Sequence, residues 1–351
     1  MKLKISSKKY ITRNSPPLFI AELGSNHNGD LNIAKRLIKK AKEAGADYVK
    51  FQSWTSKSIF SEVKYKENFF LNDDYRSRKD INLRKIVEKY AISENQLLKI
   101  KVYSDSLKIP LISTPFSKKE VDFLIDKIKV PFLKVASMDL NNYQFLYYMA
   151  KKNKPIVLST GMGSLQEIDK AIETIESTGN KNIIILHCLS IYPAPYNKIN
   201  LSRIDTLKKL YPYPIGYSDH SIGSFVSVGA VTKGATLIEK HFTLDHEMDG
   251  WDHKISSNPK ELQELIHNCK NIHLTLGESR IIRSEPSKRI KEFRRSIVAA
   301  RKIRIGEIFT TDMLDFKRPG RGLAPEMIDF IIGKECKRNI NYDELISIKD
   351  F

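Results

Sequence analysis

Two histidines stand at the ends of short apolar runs, and each has a carboxylate close to it in the sequence. His220 follows Asp219 in IGYSDHSIGS, and His241 lies two residues after Glu239 in LIEKHFTLDH. Neutral imidazole is a common ligand for divalent metals, and two neighbouring strand ends can bring two such rings to one ion. Two histidines without a firm third protein ligand leave positions open for water and substrate, as a catalytic ion requires. Mixed nitrogen and oxygen ligation suits Mn²⁺, with Mg²⁺, Co²⁺ and Zn²⁺ as alternatives; the other interpretation is of ordinary polar residues at strand ends.

Two lysines, Lys50 and Lys134, also lie near the ends of apolar runs. One interpretation is a Schiff-base lysine, whose amine pKa falls when the side chain is desolvated. The other is that both lysines neutralise a phosphate or a carboxylate, and the number of neutral donors near other run ends favours it. Those donors are Gln52, Thr114, Ser137, Ser159 and Tyr192. A glycine-containing turn in STGMGSLQEI offers further backbone N–H groups for an anion.

Side chains so far apart in the sequence must be positioned by elements that end at one common face. Up to residue 276, short runs rich in Val, Ile and Leu alternate with longer segments of helical periodicity. The eight apolar runs are 18–23, 47–52, 109–114, 131–137, 154–160, 182–188, 213–218 and 235–241. Eight strand–helix units predict a (β/α)₈ TIM barrel rather than an open doubly wound sheet. The carboxyl ends of barrel strands form the active-site face, and nearly every run ends on a polar or ionisable residue.

The alternation then stops, which predicts a second domain. Residues 277–292 (GESRIIRSEPSKRIKE) are polar and basic and are interpreted as a linker. Residues 293–351 contain short strand patterns with the turn signals RIGE and RPGRG, which are typical of a small, mainly-β domain. Within the barrel domain, 1–276, the long connection 53–84 is expected to act as a lid or binding loop.

Composition favours a cytoplasmic enzyme over a nucleic-acid-binding or membrane protein. The chain has 351 residues and a net charge of +18, but its 59 Lys and Arg residues are scattered rather than clustered. We therefore expect the charge to attract an anionic substrate, and a basic polyanion-binding protein is the alternative. No apolar run approaches the roughly 18 residues of a membrane-spanning helix. The three cysteines include no C-x-x-C pair, so neither a disulfide framework nor a thiolate zinc site is indicated.

A series of motifs resembles the sialic acid (N-acetylneuraminate and other nonulosonate) synthase family. The motifs are FIAELGSNHNGDL, AGADYVKFQ, STPFS, LSTGM, LHC with IYPAP, GYSDHS, EKHFTLD and WDHKIS, in that order between residues 18 and 258. The segment 293–351, with RPGRG, resembles the antifreeze-like domain at the C-terminus of this family. The resemblance implies a TIM barrel that condenses phosphoenolpyruvate with an N-acylated amino sugar and releases phosphate by C–O cleavage.

The resemblance also implies a metal site and a phosphoenolpyruvate site. His220 and His241 match the family's metal-binding histidines, and the metal is usually Mn²⁺. The residues that match the phosphoenolpyruvate site are Lys50, Gln52, Thr114, Lys134, Ser137, Ser159, Tyr192 and Ser218. Among them, Lys134 is expected to take part in catalysis by stabilising the developing charge.

Other matches concern the acceptor sugar and the assembly. Glu22 and Glu239 match acidic residues at the reacting end of the site, where they are candidates for proton transfer and hydroxyl binding. Asp252 matches a residue that contacts the sugar. Arg318 matches an arginine that the antifreeze-like domain extends over the barrel of the partner subunit, which implies a domain-swapped homodimer.

Two departures from the family pattern leave the acceptor sugar open. Ser190, beside the phosphoenolpyruvate site in CLSIYP, stands where N-acetylneuraminate synthases have Asn, and MDGWDHKIS differs from the more usual PGPDH. N-acetylmannosamine and the 2,4-diacetamido-2,4,6-trideoxy hexoses that lead to legionaminate or pseudaminate are all compatible, and retention of DHK favours neuraminate or legionaminate. Two further alternatives are a related barrel synthase that uses a phosphorylated aldose and a Schiff-base aldolase that acts on pyruvate.

Overall fold

The computed structural model describes residues 3–5, 9–68 and 82–351. The chain divides into two compact units, Met1–Gly277 and Glu278–Phe351. Of the connection 53–84, whose role as a lid was predicted, residues 69–81 lie outside the described residues. No helix in the described part of the chain is both long and apolar enough to cross a membrane.

The first unit is built on a parallel sheet that forms a nearly closed barrel. A short antiparallel hairpin, β1 (Leu3–Lys4) and β2 (Tyr10–Ile11), precedes it. The barrel strands are β3 (Leu18–Gly24), β4 (Tyr48–Ser53), β5 (Leu111–Pro115), β6 (Leu133–Val135), β7 (Ile156–Ser159), β8 (Ile183–Cys188), β9 (Ile215–Asp219) and β10 (Leu237–His241). Their hydrogen-bonded order is β5-β4-β3-β10-β9-β8-β7-β6, and β5 and β6, at its two ends, lie against each other. This confirms the predicted (β/α)₈ barrel.

Helices connect the strands and cover the outside of the barrel. Several begin at a residue whose side chain accepts a hydrogen bond from the first turn, such as Asp30, Ser93 and Ser164, which satisfies N–H groups that have no partner within the helix. The helices are α1 (Leu31–Glu43), α2 (Glu62–Glu67), α3 (Leu83–Tyr90), α4 (Glu94–Ser106), α5 (Lys118–Phe123), α6 (Tyr143–Ala150), α7 (Leu165–Glu176), α8 (Tyr196–Ile199), α9 (Ser202–Leu210), α10 (Phe225–Thr232) and α11 (Pro259–Leu276).

Alternation along the strands separates the filling of the barrel from its functional end. Successive strand residues point to opposite faces, so residues two apart share a face. Ile20 belongs to the apolar cluster that fills the barrel, and Glu22 follows it on the inward face; in the same way Leu237 is followed by Glu239 and His241. The filling cluster also contains Leu3, Ile5 and Ile11 of the N-terminal segment. The barrel is thus packed at one end and lined with polar groups at the other.

The second unit has its own small core. β11 (Ser296–Ala299) pairs antiparallel with β12 (Leu314–Lys317), and isolated bridges such as Val298 with Leu345 extend the pairing. Ile297, Phe309 and Ile340 are among the buried residues of this unit. Its helices are α12 (Ser287–Phe293) and α13 (Ile328–Ile331), so the segment interpreted as a linker contains a short helix.

Candidate active site

A cavity of about 280 Å³, which we call the inner cavity, lies at the carboxyl ends of the barrel strands. Every predicted site residue of the barrel except Asp252 lines it, because each belongs to the inward face of a strand or to the loop that follows one. These residues are Glu22, Lys50, Gln52, Thr114, Lys134, Ser137, Ser159, Ser190, Tyr192, Ser218, His220, Glu239 and His241. The structure therefore brings together side chains that are up to 219 positions apart (241 minus 22) in the chain.

Two lysines and two glutamates form a buried charged network at the floor of the inner cavity. Lys50 Nζ lies 2.8 Å from Glu22 Oε2 and 3.5 Å from Glu239 Oε1, and Lys134 Nζ lies 3.9 Å from Glu239 Oε1. Ser159 Oγ accepts a hydrogen bond of 2.6 Å from Lys134, which holds this ammonium group toward β7. Charges so well buried need partners, and the network supplies them.

The network shifts the pKa values of its members in different directions. Burial raises the pKa of Glu22, since it outweighs the effect of Lys50, and the charge of Glu239 raises it further. For Glu239, the charges of Lys134 and Lys50 outweigh burial and lower the pKa to about 2. Burial also lowers the pKa of Lys134. Two carboxyl groups whose pKa values are driven apart can take different roles in proton transfer.

The two histidines lie side by side at the cavity wall, with ring centroids 5.5 Å apart. His220 Nδ1 is 2.8 Å from the carbonyl oxygen of Leu189, whereas the buried His241 Nδ1 has no hydrogen-bond partner. The pKa of His241 is lowered to about 4, mainly by burial, which keeps the ring in the neutral form that binds metals. Glu239 Oε2 is also buried without a hydrogen-bond partner.

These residues fit a divalent ion held by two imidazoles. The unpartnered nitrogen of His241 and the nearby carboxylate oxygen are groups that a cation would satisfy. Among the described residues, no group of three or more His, Cys, Asp or Glu side chains has the spacing of a complete metal site. An ion held by the two imidazoles would keep its other coordination positions for water and substrate, and this metal site stays a prediction.

A hydroxyl-rich corner lies across the inner cavity from the glutamates. Gly161 N donates to Ser137 Oγ at 3.1 Å, and Ser190 lines the same corner. A Cβ atom on Gly161 would lie 2.4 Å from Ser190 Oγ and 2.7 Å from Ser137 Oγ, so a side chain at this position would displace both hydroxyls. The glycine-containing turn predicted to help bind an anion is thus located beside two neutral donors.

Two predicted residues lie elsewhere. Asp252 borders a neighbouring cavity, where its Oδ2 accepts a hydrogen bond of 3.2 Å from Ser25 and lies 4.0 Å from His241 Nδ1. Arg318 belongs to the second unit, and its guanidinium carbon lies 5.2 Å from the ring centroid of Phe293 in the same unit. Its expected contact is with a partner subunit, and that contact stays a prediction.

Sequence reasoning missed Cys188, which lines the inner cavity at the end of β8. Its sulfur lies 3.9 Å from His220 Nδ1 and 3.7 Å from Ser137 Oγ. Burial alone would raise the pKa of this thiol, but the adjacent His220 lowers it to about 7. Strand alternation could have identified it, because Leu186 two residues earlier belongs to the barrel filling. His187, by contrast, is directed to the carbonyl oxygen of Ile199 at 2.7 Å.

A (β/α)₈ barrel with buried lysines, glutamates and histidines at the carboxyl ends of its strands has the architecture of a barrel enzyme. The chain belongs to the NeuB family, which residues 37–280 match, and residues 294–351 match the SAF (antifreeze-like) domain. The family predicted from the sequence is therefore confirmed.

Similar proteins were found both among characterised sequences and among solved structures. N,N'-diacetyllegionaminic acid synthase of Campylobacter jejuni is 39% identical over 94% of this chain and 98% of its own. N-acetylneuraminate-9-phosphate synthase of Homo sapiens is 34% identical over 99% and 96%. The crystal structure of N-acetylneuraminic acid (sialic acid) synthetase from Leptospira borgpetersenii, in complex with citrate, matches with a TM-score of 0.73 at 34% identity, covering 82% of this chain and 94% of that one.

Proposed function

We propose that this protein is a nonulosonate synthase that condenses phosphoenolpyruvate with an N-acylated amino sugar. The supporting observation is the inner cavity, in which two buried lysines and many neutral donors adjoin two histidines and two glutamates. Membership of the NeuB family and likeness to named acid-sugar synthases support the same function. In the reaction, carbon 3 of phosphoenolpyruvate bonds to the aldehyde carbon of the open-chain sugar, water adds to carbon 2, and phosphate leaves by C–O cleavage.

Phosphoenolpyruvate would bind against the lysines and the hydroxyl-rich corner. Lys50 and Lys134 offer ammonium groups, and the hydroxyls of Ser137 and Ser190 offer neutral donors, the first of them oriented by the backbone N–H of Gly161. The lysines alone do not create a positive cavity, because two glutamates lie within ion-pair distance of them. A phosphate ester with a carboxylate therefore needs additional positive charge, from a cation or from a proton on a glutamate.

His220 and His241 would hold a divalent ion, for which we propose Mn²⁺, with Mg²⁺ or Co²⁺ as alternatives. Such an ion, when bound, supplies positive charge at the aldehyde oxygen of the acceptor. The hydrogen-bond partner of His220, the carbonyl oxygen of Leu189, fixes the orientation of that ring.

The remaining polar side chains orient the substrates and provide for proton transfer. The Tyr192 ring packs against His220 with centroids 4.2 Å apart, which restricts the orientation of the imidazole. Gln52 Nε2 donates to Glu22 Oε1 at 2.6 Å, and Ser218 Oγ donates to Glu239 Oε1 at 3.2 Å, so both carboxylates are held in fixed positions. We infer that Glu22 and Glu239 bind a hydroxyl group of the substrate or exchange its proton.

We propose a 2,4-diacetamido-2,4,6-trideoxy hexose leading to legionaminate as the acceptor, with N-acetylmannosamine as the alternative. The higher identity to the N,N'-diacetyllegionaminic acid synthase than to the N-acetylneuraminate-9-phosphate synthase supports this choice. We further propose a domain-swapped homodimer in which Arg318 reaches the partner's barrel, and a cytoplasmic location, where three free buried cysteines stay reduced.

The test is release of phosphate from phosphoenolpyruvate by the purified full chain with Mn²⁺. The acceptors are N-acetylmannosamine, the two diacetamido-trideoxy hexoses and arabinose 5-phosphate, each with and without EDTA. Release with an unphosphorylated amino sugar, lost in EDTA, supports the synthase and its metal. Release with arabinose 5-phosphate alone contradicts the proposed function, and undiminished release in EDTA contradicts the metal.

A further inference from the structure

A second cavity of about 460 Å³, which we call the outer cavity, adjoins the inner one. Gln52, Tyr192 and His241 are among the residues that line both cavities, so the two cavities share a wall that includes one candidate metal ligand. A sugar whose aldehyde carbon lies in the inner cavity must direct its other end somewhere. Because the two cavities share a wall, the outer cavity is the space into which the far end of the sugar would extend.

The walls of the outer cavity are largely apolar, and they come from several separate parts of the barrel unit. Trp54 and Phe60 follow β4, Val87 lies on α3, and Trp251 lies in the loop after β10. Ile59, Met138 and Ile191 also belong to the apolar lining.

Packing against neighbouring rings and one hydrogen bond fix the orientation of the aromatic walls. The Trp251 ring lies 6.1 Å from that of Tyr90, and the Trp54 ring lies 6.2 Å from that of Phe116, both between centroids. Trp54 Nε1 also donates to the carbonyl oxygen of Val87 at 3.3 Å. Aromatic walls fixed in this way form a preorganised surface for apolar groups of a ligand.

The charges that the described residues of one chain place around the outer cavity disfavour a phosphorylated sugar. Among the described residues that line it there is no lysine or arginine, and Asp252 contributes a carboxylate. Ser25 and Gln52 supply neutral groups that can bind hydroxyls or amides. A phosphate placed here would meet a like charge without a described cation beside it.

We propose that the outer cavity selects the acceptor by binding the C4–C6 end of the sugar through Trp54, Phe60 and Trp251. This rests on the proposed synthase function and assigns the residues that determine its specificity. An acetamido methyl at C4 and a methyl at C6 are apolar groups that fit these walls, whereas hydroxyls at both positions would lose water where they face Trp54, Phe60 and Trp251. An apolar pocket typically discriminates one such group by roughly 10-fold or more.

The experiment compares two acceptors in matched variants of the full chain. The kcat/KM for 2,4-diacetamido-2,4,6-trideoxymannose is divided by that for N-acetylmannosamine in the wild type and in the Trp251→Ala, Phe60→Ala and Trp251→Phe variants. We expect the wild-type ratio to exceed roughly 10 and to fall by about that factor in both alanine variants. Trp251→Phe should retain most of the ratio, and the KM for phosphoenolpyruvate should stay unchanged throughout.

Tyr147→Ala is the control, because Tyr147 is a half-exposed aromatic residue on α6 that lines neither cavity. A ratio that stays at the wild-type value in both alanine variants overturns the assignment, as does a wild type that prefers N-acetylmannosamine or its 6-phosphate. No phosphate release with any sugar would refute the proposed function itself, which turnover at an unchanged ratio would not.

A binding measurement on the Trp251→Phe variant tests the proposal even where an alanine variant folds poorly. Trp251→Phe leaves Trp54 as the sole tryptophan of the chain, so its emission reports directly on the outer cavity. Adding the diacetamido sugar with Mn²⁺ but without phosphoenolpyruvate should change that emission with saturation. Emission that does not respond at concentrations supporting full turnover overturns the proposal.

Discussion

Behind the two histidines, on the outward face of the barrel, Asp219 and Lys240 form a buried ion pair between β9 and β10. Their side chains are 0% and 2% exposed, and Lys240 Nζ lies 3.1 Å from Asp219 Oδ2. The two residues are register partners in the sheet. Asp219 also accepts hydrogen bonds from Ser221 and Ser227, and Lys240 donates to the carbonyl oxygen of Ser221. The pair therefore fixes the turn that carries His220 against the strand that carries His241.

Removing one member of the pair should cost far more than removing both. Lys240→Met leaves the Asp219 carboxylate buried with only its serine partners, and Asp219→Asn leaves the ammonium group unpaired. Each change is expected to lower the free energy of unfolding by about 3–5 kcal/mol, the usual effect of a buried charge that has lost its partner. The double variant, Asp219→Asn with Lys240→Met, should recover most of this loss because no buried charge remains.

Urea unfolding followed by tryptophan fluorescence measures these differences, since Trp54 and Trp251 are the only tryptophans of the chain and both belong to the barrel unit. The matched control is Lys233→Met, which removes a pair with Asp205 at 2.8 Å whose side chains are 40% and 41% exposed. We expect it to change the free energy of unfolding by less than about 1 kcal/mol. A double variant as unstable as the sum of the two single variants would refute the reasoning.

Further changes test the site and the second unit. His241→Ala should lower Mn²⁺-dependent turnover by orders of magnitude with an unchanged circular dichroism spectrum; wild-type activity that persists in EDTA would contradict the metal assignment. Gly161→Ala should raise the KM for phosphoenolpyruvate by roughly 10-fold through collision with two serine hydroxyls, and an unaltered KM would argue against an anion at that corner. Arg318→Ala should raise the acceptor KM in the dimer, and equal values would speak against the swapped arginine. Hydrogen bonds from Arg338 and the Ser347 backbone outweigh burial and lower the pKa of Asp350. The ionised carboxylate therefore stabilises the folded second unit above the ordinary Asp pKa of about 3.9, and this contribution is lost as the pH falls through the lowered pKa. Arg338→Ala should therefore reduce amide-exchange protection of the second unit more at pH 6 than at pH 2, and an equal effect at both would contradict the linkage.

The barrel and most of its inward polar residues could be predicted because both depend on a local pattern. The alternation of side chains between the two faces of a strand can be read from the sequence, and Leu237, Glu239 and His241, at every second position of β10, follow it. The strand–helix alternation supplies the topology, and the parallel sheet brings the strand ends together. No contact between distant residues has to be known for this step.

Other features of the site depend on contacts that no local pattern encodes. Asp252 lies in a loop, and only the folded chain shows that it borders the outer rather than the inner cavity. The contact between Trp251 and Tyr90 joins segments 161 positions apart (251 minus 90) and depends on how α3 packs. The contact proposed for Arg318 is with a second copy of the chain, and no local pattern in the sequence encodes such a contact.

The outward face of the strands carries a buried charged pair, Asp219 and Lys240, behind the histidines but apolar residues behind a lysine. Behind Lys50 on β4 the next residue is Phe51, which packs in the apolar layer under the helices. A lysine has four rotatable carbons and can reach its ligand from a slightly shifted strand, whereas an imidazole lies one carbon from the backbone and cannot. Two imidazoles that share one ion therefore require a fixed register between their strands more than the lysines do. A buried charge pair resists slippage, because a shift of one residue would leave both charges unpaired and move the histidines to the opposite face.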